Sequence, residues 1–236
     1  MRGRLTVAAA AAAGTLAAGY LLAGRSWQLS WGATALERAE VLPGDDLLSV
    51  ADVAATRAIT IAAPPGAVWP WIAQLGQGRG GFYSYDLLEN LAGCDIHSAG
   101  EVVPAWQDVR PGDEVRLAPG FGLTVAVADP GSALVLSSAP GPAAAPGLPG
   151  PGASAPPFDF TWAFVVRPGP GGASRLIVRE RYRYLRPAAR FVVEPVGVVS
   201  FVMSRRMLLG IRDRAERAAS AGAGVANGRA ARDLGP

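Results

Sequence analysis

The sequence predicts an α+β fold in which an antiparallel sheet packs against a long C-terminal helix. A helical pattern extends from about residue 187 to 219, with an interruption at Pro195. Strand-like runs separated by turn signals precede it, and this order favours an antiparallel sheet over a mainly parallel one. The runs predicted to be strands are 114–117, 123–128, 134–138, 158–166 and 175–184.

The composition fits a folded domain and excludes several kinds of chemistry. Half of the 236 residues are hydrophobic, which is enough for a sizeable core and rules out wholesale disorder. Cys94 is the one cysteine and His97 the one histidine, so the chain has neither an internal disulfide nor a multi-Cys or His–His metal site. No cofactor motif is present, and no metal or cofactor is predicted. All basic residues are arginine, and in an Ala-, Gly- and Pro-rich chain this bias does not indicate nucleic-acid binding.

The start of the chain is predicted to be a membrane anchor. Arg2 and Arg4 precede an uncharged run at 5–24, which as a helix would be about 30 Å long, the thickness of a bilayer core. Arg25 closes the run, and Trp27 follows as an interfacial aromatic residue would. The basic N-terminus favours a single pass with the N-terminus inside. A cleaved signal sequence, giving an exported protein, and an over-extended start codon are the alternatives.

The chain divides into an anchor, one domain and two looser stretches. Residues 1–25 hold the anchor or signal, and 26–55 form a connector that packs partly on a domain at 56–219. A Pro- and Gly-rich insert at 139–157 separates two strands and is either a flexible loop or a lid over a cavity. The small, polar tail at 220–236 is predicted to be disordered.

The domain is predicted to begin with a strand and two helices. Alternating residues at 57–61 indicate the strand. The helix at 63–76 has Pro65 in a plausible first-turn position and Gly76 at its end. A second, shorter helix is predicted at 85–91.

Two sequence segments in this region resemble those of a known superfamily. The sequence APPGAVWPWIAQLG at 63–76 is similar to the first strand–helix unit of the SRPBCC superfamily, also called START-like or polyketide cyclase/dehydrase-like. The sequence GRGGFYSYDLLENL at 78–91 resembles a phrase of an actinobacterial-type, membrane-linked subgroup of unknown function. The resemblance covers roughly 31–218, with further matches at 31–34, 42–45, 96–98 and 201–207.

The resemblance implies a helix-grip fold, in which a curved antiparallel sheet wraps around the long C-terminal helix. Members of the superfamily bind lipids, sterols, hormones or polyketides in a cavity between the sheet and that helix, and a few catalyse cyclisation or dehydration. The insert at 139–157 is longer than the family pattern requires.

The strand at 175–184 is predicted to direct one carboxylate, Glu180, into the interior. Glu180 shares its face with Leu176, Val178, Tyr182 and Tyr184. The opposite face is predicted to be solvent-exposed and consists of Arg175, Ile177, Arg179, Arg181 and Arg183. An inward carboxylate is costly unless it is paired or protonated. We therefore expect Glu180 to be buried and to contact at least one of four residues: Arg79, His97, Tyr83 and Arg206. It could act as an acid or base, or pair structurally with an arginine.

Aromatic and polar residues elsewhere are candidates for a cavity wall. Phe158, Phe160, Trp162 and Phe164 alternate along one strand, either as core or as the lining of an apolar ligand site. His97 follows Asp95 by two residues, as a proton-transfer pair or a structural contact. The predicted ligand-binding residues are Trp71, Gln74, Arg79, Tyr83, Tyr85, Trp106, Phe160, Trp162, Glu180, Tyr182 and Met203.

Three classes of function fit these observations. The prediction is a membrane-tethered module that binds a small hydrophobic, lipid- or polyketide-like molecule between sheet and C-terminal helix. One alternative is a polyketide cyclase- or dehydratase-type enzyme with Glu180, His97 and Tyr83 as acid–base groups. The other is a structural or interaction domain whose core is filled by its own side chains. Binding needs only a cavity, whereas catalysis needs polar groups that converge within hydrogen-bond reach.

Overall fold

The computed structural model describes residues 24–138 and 156–233. Nearly all of the predicted anchor at 5–24 and of the insert at 139–157 lies outside these residues, so both stay predictions. Within the described ranges, no helix combines the length and the apolar character that crossing a membrane requires.

The described chain forms an open sheet of six antiparallel strands and a long C-terminal helix, as the sequence predicts. The strand order is β1-β6-β5-β4-β3-β2. The strands are β1 Val53–Ile61, β2 Glu114–Ala118, β3 Phe121–Asp129, β4 Ala133–Ser137, β5 Phe158–Pro168 and β6 Ser174–Tyr184. The helices are α1 Arg25–Leu29, α2 Ala35–Ala39, α3 Pro65–Ala73, α4 Asp86–Leu91 and α5 Arg190–Asp233.

The long helix α5 differs from its prediction at two points. It continues through Pro195, where the sequence predicts an interruption, although the proline nitrogen cannot donate to the preceding turn. It also extends to Asp233, beyond the end predicted at residue 219. Its position is set by packing, because α5 contacts α3, β1, β6 and α1.

The main core lies between one face of the sheet and the helices α3 and α5. Phe164 and Leu176 come from the sheet, Ile72 from α3, and Leu208 and Ile211 from α5, and all are fully buried. Register shifts in the β2–β3 and β3–β4 pairs are β-bulges, which bend the sheet at these strands.

The segment that precedes β1 covers the arginine-bearing face of β6. The prediction that this face is solvent-exposed is therefore wrong for most of its residues. Arg179 is only 3% exposed, and Ile177 packs with Leu42 of the segment that precedes β1. Arg179 pairs with Asp45 and donates to backbone carbonyls of the same segment. The five guanidinium donors allow burial here because carboxylates and carbonyls accept them. Arg183, paired with Asp159, stays half-exposed.

The short helix α2 positions Glu37 for a further ion pair on this face of β6, with Arg175. Thr34 accepts from the backbone N–H of Glu37, and the Glu37 side chain accepts from the N–H of Thr34, forming a capping box. Arg175 then donates two hydrogen bonds to Glu37, at 2.6 and 2.8 Å. These bonds lower the pKa of Glu37 to about 2, against the opposing effect of burial. The segment before β1 is thereby held on the sheet by charge-assisted hydrogen bonds.

Candidate functional site

A cavity of about 280 Å³ lies between β5, β6 and α5. Its walls are mostly aromatic and aliphatic, and this size and lining are close to those of small-molecule sites. The lining residues are Phe82, Ser84, Glu89, Cys94, Leu117, Phe121, Phe158, Phe160, Trp162, Glu180, Tyr182, Val196, Ser200, Met203, Ser204 and Met207.

Strand and helix periodicity place these side chains. Phe158, Phe160 and Trp162 alternate along β5 and therefore share one face. Phe160 lies beside Tyr182 of the neighbouring strand, with ring centroids 4.7 Å apart. On α5, residues that line the cavity recur at spacings of three and four, which is one side of a helix: Val196, Ser200, Met203, Ser204 and Met207.

The cavity opens beside an exposed apolar surface. Val196 and Phe121 both line the cavity and are each 41% exposed. Further apolar side chains are exposed on the same half of α5 and on α4, which also contributes Glu89 to the lining. They are Phe191, Val192, Val198, Val199 and Val202 on α5, and Leu87, Leu88 and Leu91 on α4.

Glu180 lines the cavity and lies in a buried polar cluster, in which the Nη2 atom of Arg57 has no hydrogen-bond partner among the described residues. Arg57 Nη1 donates to Glu180 Oε1 at 2.7 Å, and the two side chains are 1% and 2% exposed. Ser204 Oγ donates to the same oxygen at 2.8 Å, and Ser200 Oγ donates to Oε2 at 2.7 Å. Tyr182 OH donates to Oε2 at 3.4 Å. A buried charge needs this set of partners to offset its lost hydration.

The cluster connects the cavity to the N-terminal helix α1. Arg57 Nε donates to the carbonyl oxygen of Gln28 at 3.1 Å, and its guanidinium lies over the ring of Phe201. Burial, followed by the charge of Glu180, raises the pKa of Tyr182 well above its ordinary value. The Tyr182 hydroxyl therefore stays protonated and acts as a donor at neutral pH.

A second carboxyl group, Glu89, lines the cavity in a different state. Its buried Oε2 atom has no hydrogen-bond partner among the described residues. Burial and, to a smaller extent, the neighbouring charge of Asp86 raise the pKa of Glu89 to about 7. One buried donor also lacks a hydrogen-bond partner among the described residues: Nε1 of Trp162. The lining therefore includes one carboxylate that accepts four hydrogen bonds, Glu180, and two residues, Glu89 and Trp162, that each have a buried polar atom without a partner among the described residues.

The structure divides the predicted ligand-binding residues into two groups. Those that line the cavity are Phe160, Trp162, Glu180, Tyr182 and Met203, and those that lie outside its lining are Trp71, Gln74, Arg79, Tyr83, Tyr85 and Trp106.

Gln74 and Arg79, outside the lining, serve the backbone. Gln74 donates to the carbonyl of Glu101 and accepts from the N–H of Val103. Arg79 donates to the carbonyls of Ala73 and Trp106. These bonds hold the chain between α3 and β2 in place, so both side chains have structural partners.

The three catalytic candidates do not share one site. Glu180 lines the cavity, whereas His97 and Tyr83 do not. His97 is 82% exposed beside Asp95. Tyr83 is buried in the core, where burial raises its pKa to about 12. Glu180 is buried as expected, but its ionic partner is Arg57 and not Arg79, His97, Tyr83 or Arg206.

Several polar residues of the site are absent from the predicted ligand-binding set, among them Arg57, Ser200, Ser204 and Glu89. Arg57 is in phase with Ile59 and Ile61 of β1, which is a signal that it faces the interior. Ser200 and Ser204 are four residues apart in an apolar stretch, the spacing of one helix face. Glu89 lies on a helix of six residues, too short for periodicity to show its direction.

Comparison with known proteins shows similarity of fold at a coarse level. No family model and no curated protein matches the chain. Among solved structures, a Nitrosospira multiformis protein is 16% identical, with TM-score 0.41, covering 68% of this chain and 94% of that one. A Nitrosomonas europaea protein is 14% identical, with TM-score 0.42 and coverages of 70% and 95%.

A third match is DynU16, described as a putative protein in the dynemicin biosynthetic locus. It is 13% identical, with TM-score 0.36, covering 66% of this chain and 46% of that one. At these identities and TM-scores the similarities carry no argument about function. The described residues define an α+β domain with an apolar cavity between sheet and C-terminal helix, and function has to be argued from that cavity.

Proposed function

We propose that this protein binds a small hydrophobic, lipid- or polyketide-like molecule in the cavity between the sheet and α5, as a member of the helix-grip SRPBCC superfamily that its sequence resembles. The observation that carries the proposal is the cavity itself, with about 280 Å³ of space and mostly aromatic and aliphatic walls. A core filled by its own side chains would leave no such space.

Apolar burial is sufficient for binding without further chemistry. A ligand that buries roughly 300 Å² of apolar surface gains about 7.5 kcal/mol at 25 cal/mol per Å². The loss of translational and rotational freedom offsets part of this gain, so weak to moderate affinity is expected. Aromatic walls and the flexible side chains of Met203 and Met207 suit ligands of variable shape.

Binding is favoured over catalysis because the three predicted acid–base groups do not converge on one site. Glu180 already accepts four hydrogen bonds, and the other two candidate acid–base groups lie outside the cavity lining. General acid–base catalysis requires a group within hydrogen-bonding reach of the proton it moves. The cyclase- or dehydratase-type alternative therefore has less support.

The proposal includes a membrane tether through residues 5–24, with the N-terminus inside. Two contacts support it. Arg25 Nη2 pairs with Glu194 of α5 at 2.7 Å, and Trp27 packs edge-on against Phe201 of α5. A segment that precedes Arg25 would enter beside the half of α5 that lines the cavity. The exposed apolar side chains on that half would then face a bilayer, from which a hydrophobic ligand can enter.

The test is binding of the neutral fluorescent probe N-phenyl-1-naphthylamine to the full-length protein in lipid nanodiscs. Leu117 lines the cavity from β2 and is not a member of the Glu180 cluster, and Leu117→Trp is designed to fill part of the cavity. We expect this variant to lose at least about tenfold in probe affinity, or about 1.4 kcal/mol.

The matched control is Leu185→Trp, which adds the same side chain at a position that is 56% exposed and outside the cavity lining. Probe partitioning into lipid is equal for both variants, so their difference reports the cavity. Equal affinities of Leu117→Trp and Leu185→Trp would reject binding in the cavity. Conversion of a bound substrate by the wild type, abolished by Glu180→Gln, would favour the enzyme alternative.

A further inference from the structure

A second cavity, of about 330 Å³, lies on the arginine-bearing face of β6, between β1, β6 and the short helices α1 and α2. We call it the arginine cavity, because its described lining contains four arginines and no carboxylate. They are Arg25, Arg38, Arg179 and Arg181. Like charges placed around one space repel one another, so such a cavity favours an anion inside it.

The arginines come from three elements that the fold brings together. Arg179 and Arg181 are two residues apart on β6 and therefore share a face, and Thr56 lies opposite Arg179 on the edge strand β1. Arg25 belongs to α1, and Arg38 lies in the last turn of α2. Arg38 is exposed, Arg25 and Arg181 are partly buried, and Arg179 is buried. The arginines therefore extend from the surface to the wall of the cavity.

The carboxylates in contact with these arginines balance only part of their charge. Asp45 pairs with two of them, Arg179 and Arg181, and Glu194 pairs with a third. The fourth, Arg38, forms no ion pair within the described ranges. Four guanidinium charges thus contact two carboxylate charges, which leaves an excess of two positive charges.

Arg38 has the guanidinium group that is most available to a ligand. Its side chain has neither an ion pair nor a hydrogen bond to any residue that the structure describes. The acidic residues nearest to it along the chain are engaged elsewhere, because Glu37 pairs with Arg175 and Glu40 pairs with Arg167. The charge of Arg38 is therefore available to an anion.

Two further lining residues keep a donor for a ligand. Nη1 of Arg181 lies 3.5 Å from Asp45 and donates no hydrogen bond to a described residue, whereas its Nε and Nη2 atoms donate to backbone carbonyls. The Thr56 hydroxyl accepts from Arg179 at 3.0 Å and keeps its own proton to donate. Arg179 itself is saturated by Thr56, Asp45 and backbone carbonyls, so it contributes charge but no further hydrogen bond.

We infer that the arginine cavity binds a phosphate monoester, either a soluble one or the headgroup of an anionic lipid. A phosphate monoester carries about 1.5 to 2 negative charges at neutral pH and offers three acceptor oxygens. This charge matches the excess of two positive charges, and the oxygens match the donors of Arg38, Arg181 and Thr56. Guanidinium groups bind phosphate through two parallel hydrogen bonds, whereas a carboxylate would supply a single negative charge.

The place of Arg25 in the chain connects the arginine cavity to the proposed membrane tether. Arg25 directly follows the uncharged run at 5–24, so a tethered chain would bring the cavity to the bilayer surface, where lipid phosphates lie. The inference itself goes beyond the proposed function, because it concerns another cavity and another class of ligand. Failure of the hydrophobic probe to bind would leave it untouched.

The test is isothermal titration calorimetry of the full-length protein in phosphatidylcholine nanodiscs, with glycerol 3-phosphate as the probe. We expect Arg38→Gln to weaken binding by at least about tenfold, the effect of one charge-assisted hydrogen bond. The matched control is Arg186→Gln, which removes the same charge from an exposed arginine outside the lining. It should change the affinity by less than about twofold, because salt screens distant surface charges.

A second comparison distinguishes the two sources of phosphate. Nanodiscs that contain phosphatidic acid present a phosphate monoester, and those that contain phosphatidylglycerol present a diester with one negative charge. If a headgroup fills the cavity, phosphatidic acid should raise the apparent dissociation constant of glycerol 3-phosphate about fivefold more than phosphatidylglycerol does, by competition. Equal effects of the two lipids would support a soluble phosphate monoester as the ligand.

Two results would overturn the inference. One is the absence of saturable glycerol 3-phosphate binding to the wild type in phosphatidylcholine nanodiscs. The other is equal affinity of Arg38→Gln and Arg186→Gln for glycerol 3-phosphate, which would show that binding occurs outside the arginine cavity.

Discussion

Replacing Arg57 by methionine tests whether the Glu180 cluster holds the sheet, α1 and α5 together. Arg57 Nη1 donates to Glu180 at 2.7 Å and Nε donates to the Gln28 carbonyl at 3.1 Å, both in the interior. Arg57→Met leaves the Glu180 charge at a position that is 2% exposed. Removing one member of a buried pair typically costs about 3–5 kcal/mol, a large part of the total stability of a domain.

The assay is urea unfolding of the full-length protein in detergent micelles, followed by tryptophan fluorescence. We expect Arg57→Met to lower the free energy of unfolding by about 4 kcal/mol. The control is Arg183→Met, which breaks the half-exposed pair with Asp159 and should cost less than about 1 kcal/mol.

A double substitution distinguishes the cost of the unpaired Glu180 carboxylate from the cost of packing lost with the Arg57 side chain. Adding Glu180→Gln to Arg57→Met removes the uncompensated carboxylate while keeping an acceptor for Ser200 or Ser204. The double variant should recover about 2 kcal/mol relative to Arg57→Met alone. Equal losses for Arg57→Met and Arg183→Met, or no recovery in the double variant, would show that the Arg57–Glu180 pair does not hold these elements together.

Three further predictions concern packing and pH. Gly210→Ala should lower the free energy of unfolding by about 1–3 kcal/mol, because a Cβ there overlaps the Tyr83 carbonyl oxygen, whereas Gly197→Ala has room and should be neutral or stabilising. The pKa of Glu89 rises from 4.5 to about 7 on folding, so its stabilising contribution, complete below pH 4.5, should be lost as pH rises through 7. The pKa of Glu37 falls from 4.5 to about 2, so its contribution, present above 4.5, should be lost as pH falls towards 2. Thermal unfolding measured as a function of pH checks both predictions. Glu89→Gln should weaken the pH dependence of the melting temperature between pH 4.5 and 7, and Glu37→Gln should weaken it below pH 4.5.

The alternation of side chains along β6 could be read from the sequence because it is local. Period two places Glu180 with Val178 and Tyr182, and all three are buried. The partner of Glu180 could not be read in the same way. Arg57 is 123 residues away along the chain, and its approach depends on the pairing of β1 with β6. Pairing between distant strands is decided by the whole fold.

The wet face predicted for β6 shows where local reasoning fails. Alternating arginines look the same in sequence whether water or another chain segment satisfies them. Here Glu37 and Asp45 of the segment before β1 accept their hydrogen bonds. In the site, the aromatic face of β5 followed from alternation, whereas Glu89 did not, because α4 has less than two turns.

The location of a bound ligand decides whether the space between the sheet and α5 is a binding site. A crystal structure of the protein with 2-bromonaphthalene would place the bromine by its anomalous scattering. We predict one bromine position between β5 and α5, in contact with Phe160 and Met203. A bromine bound outside this space, or a cavity closed by its own side chains, would contradict it.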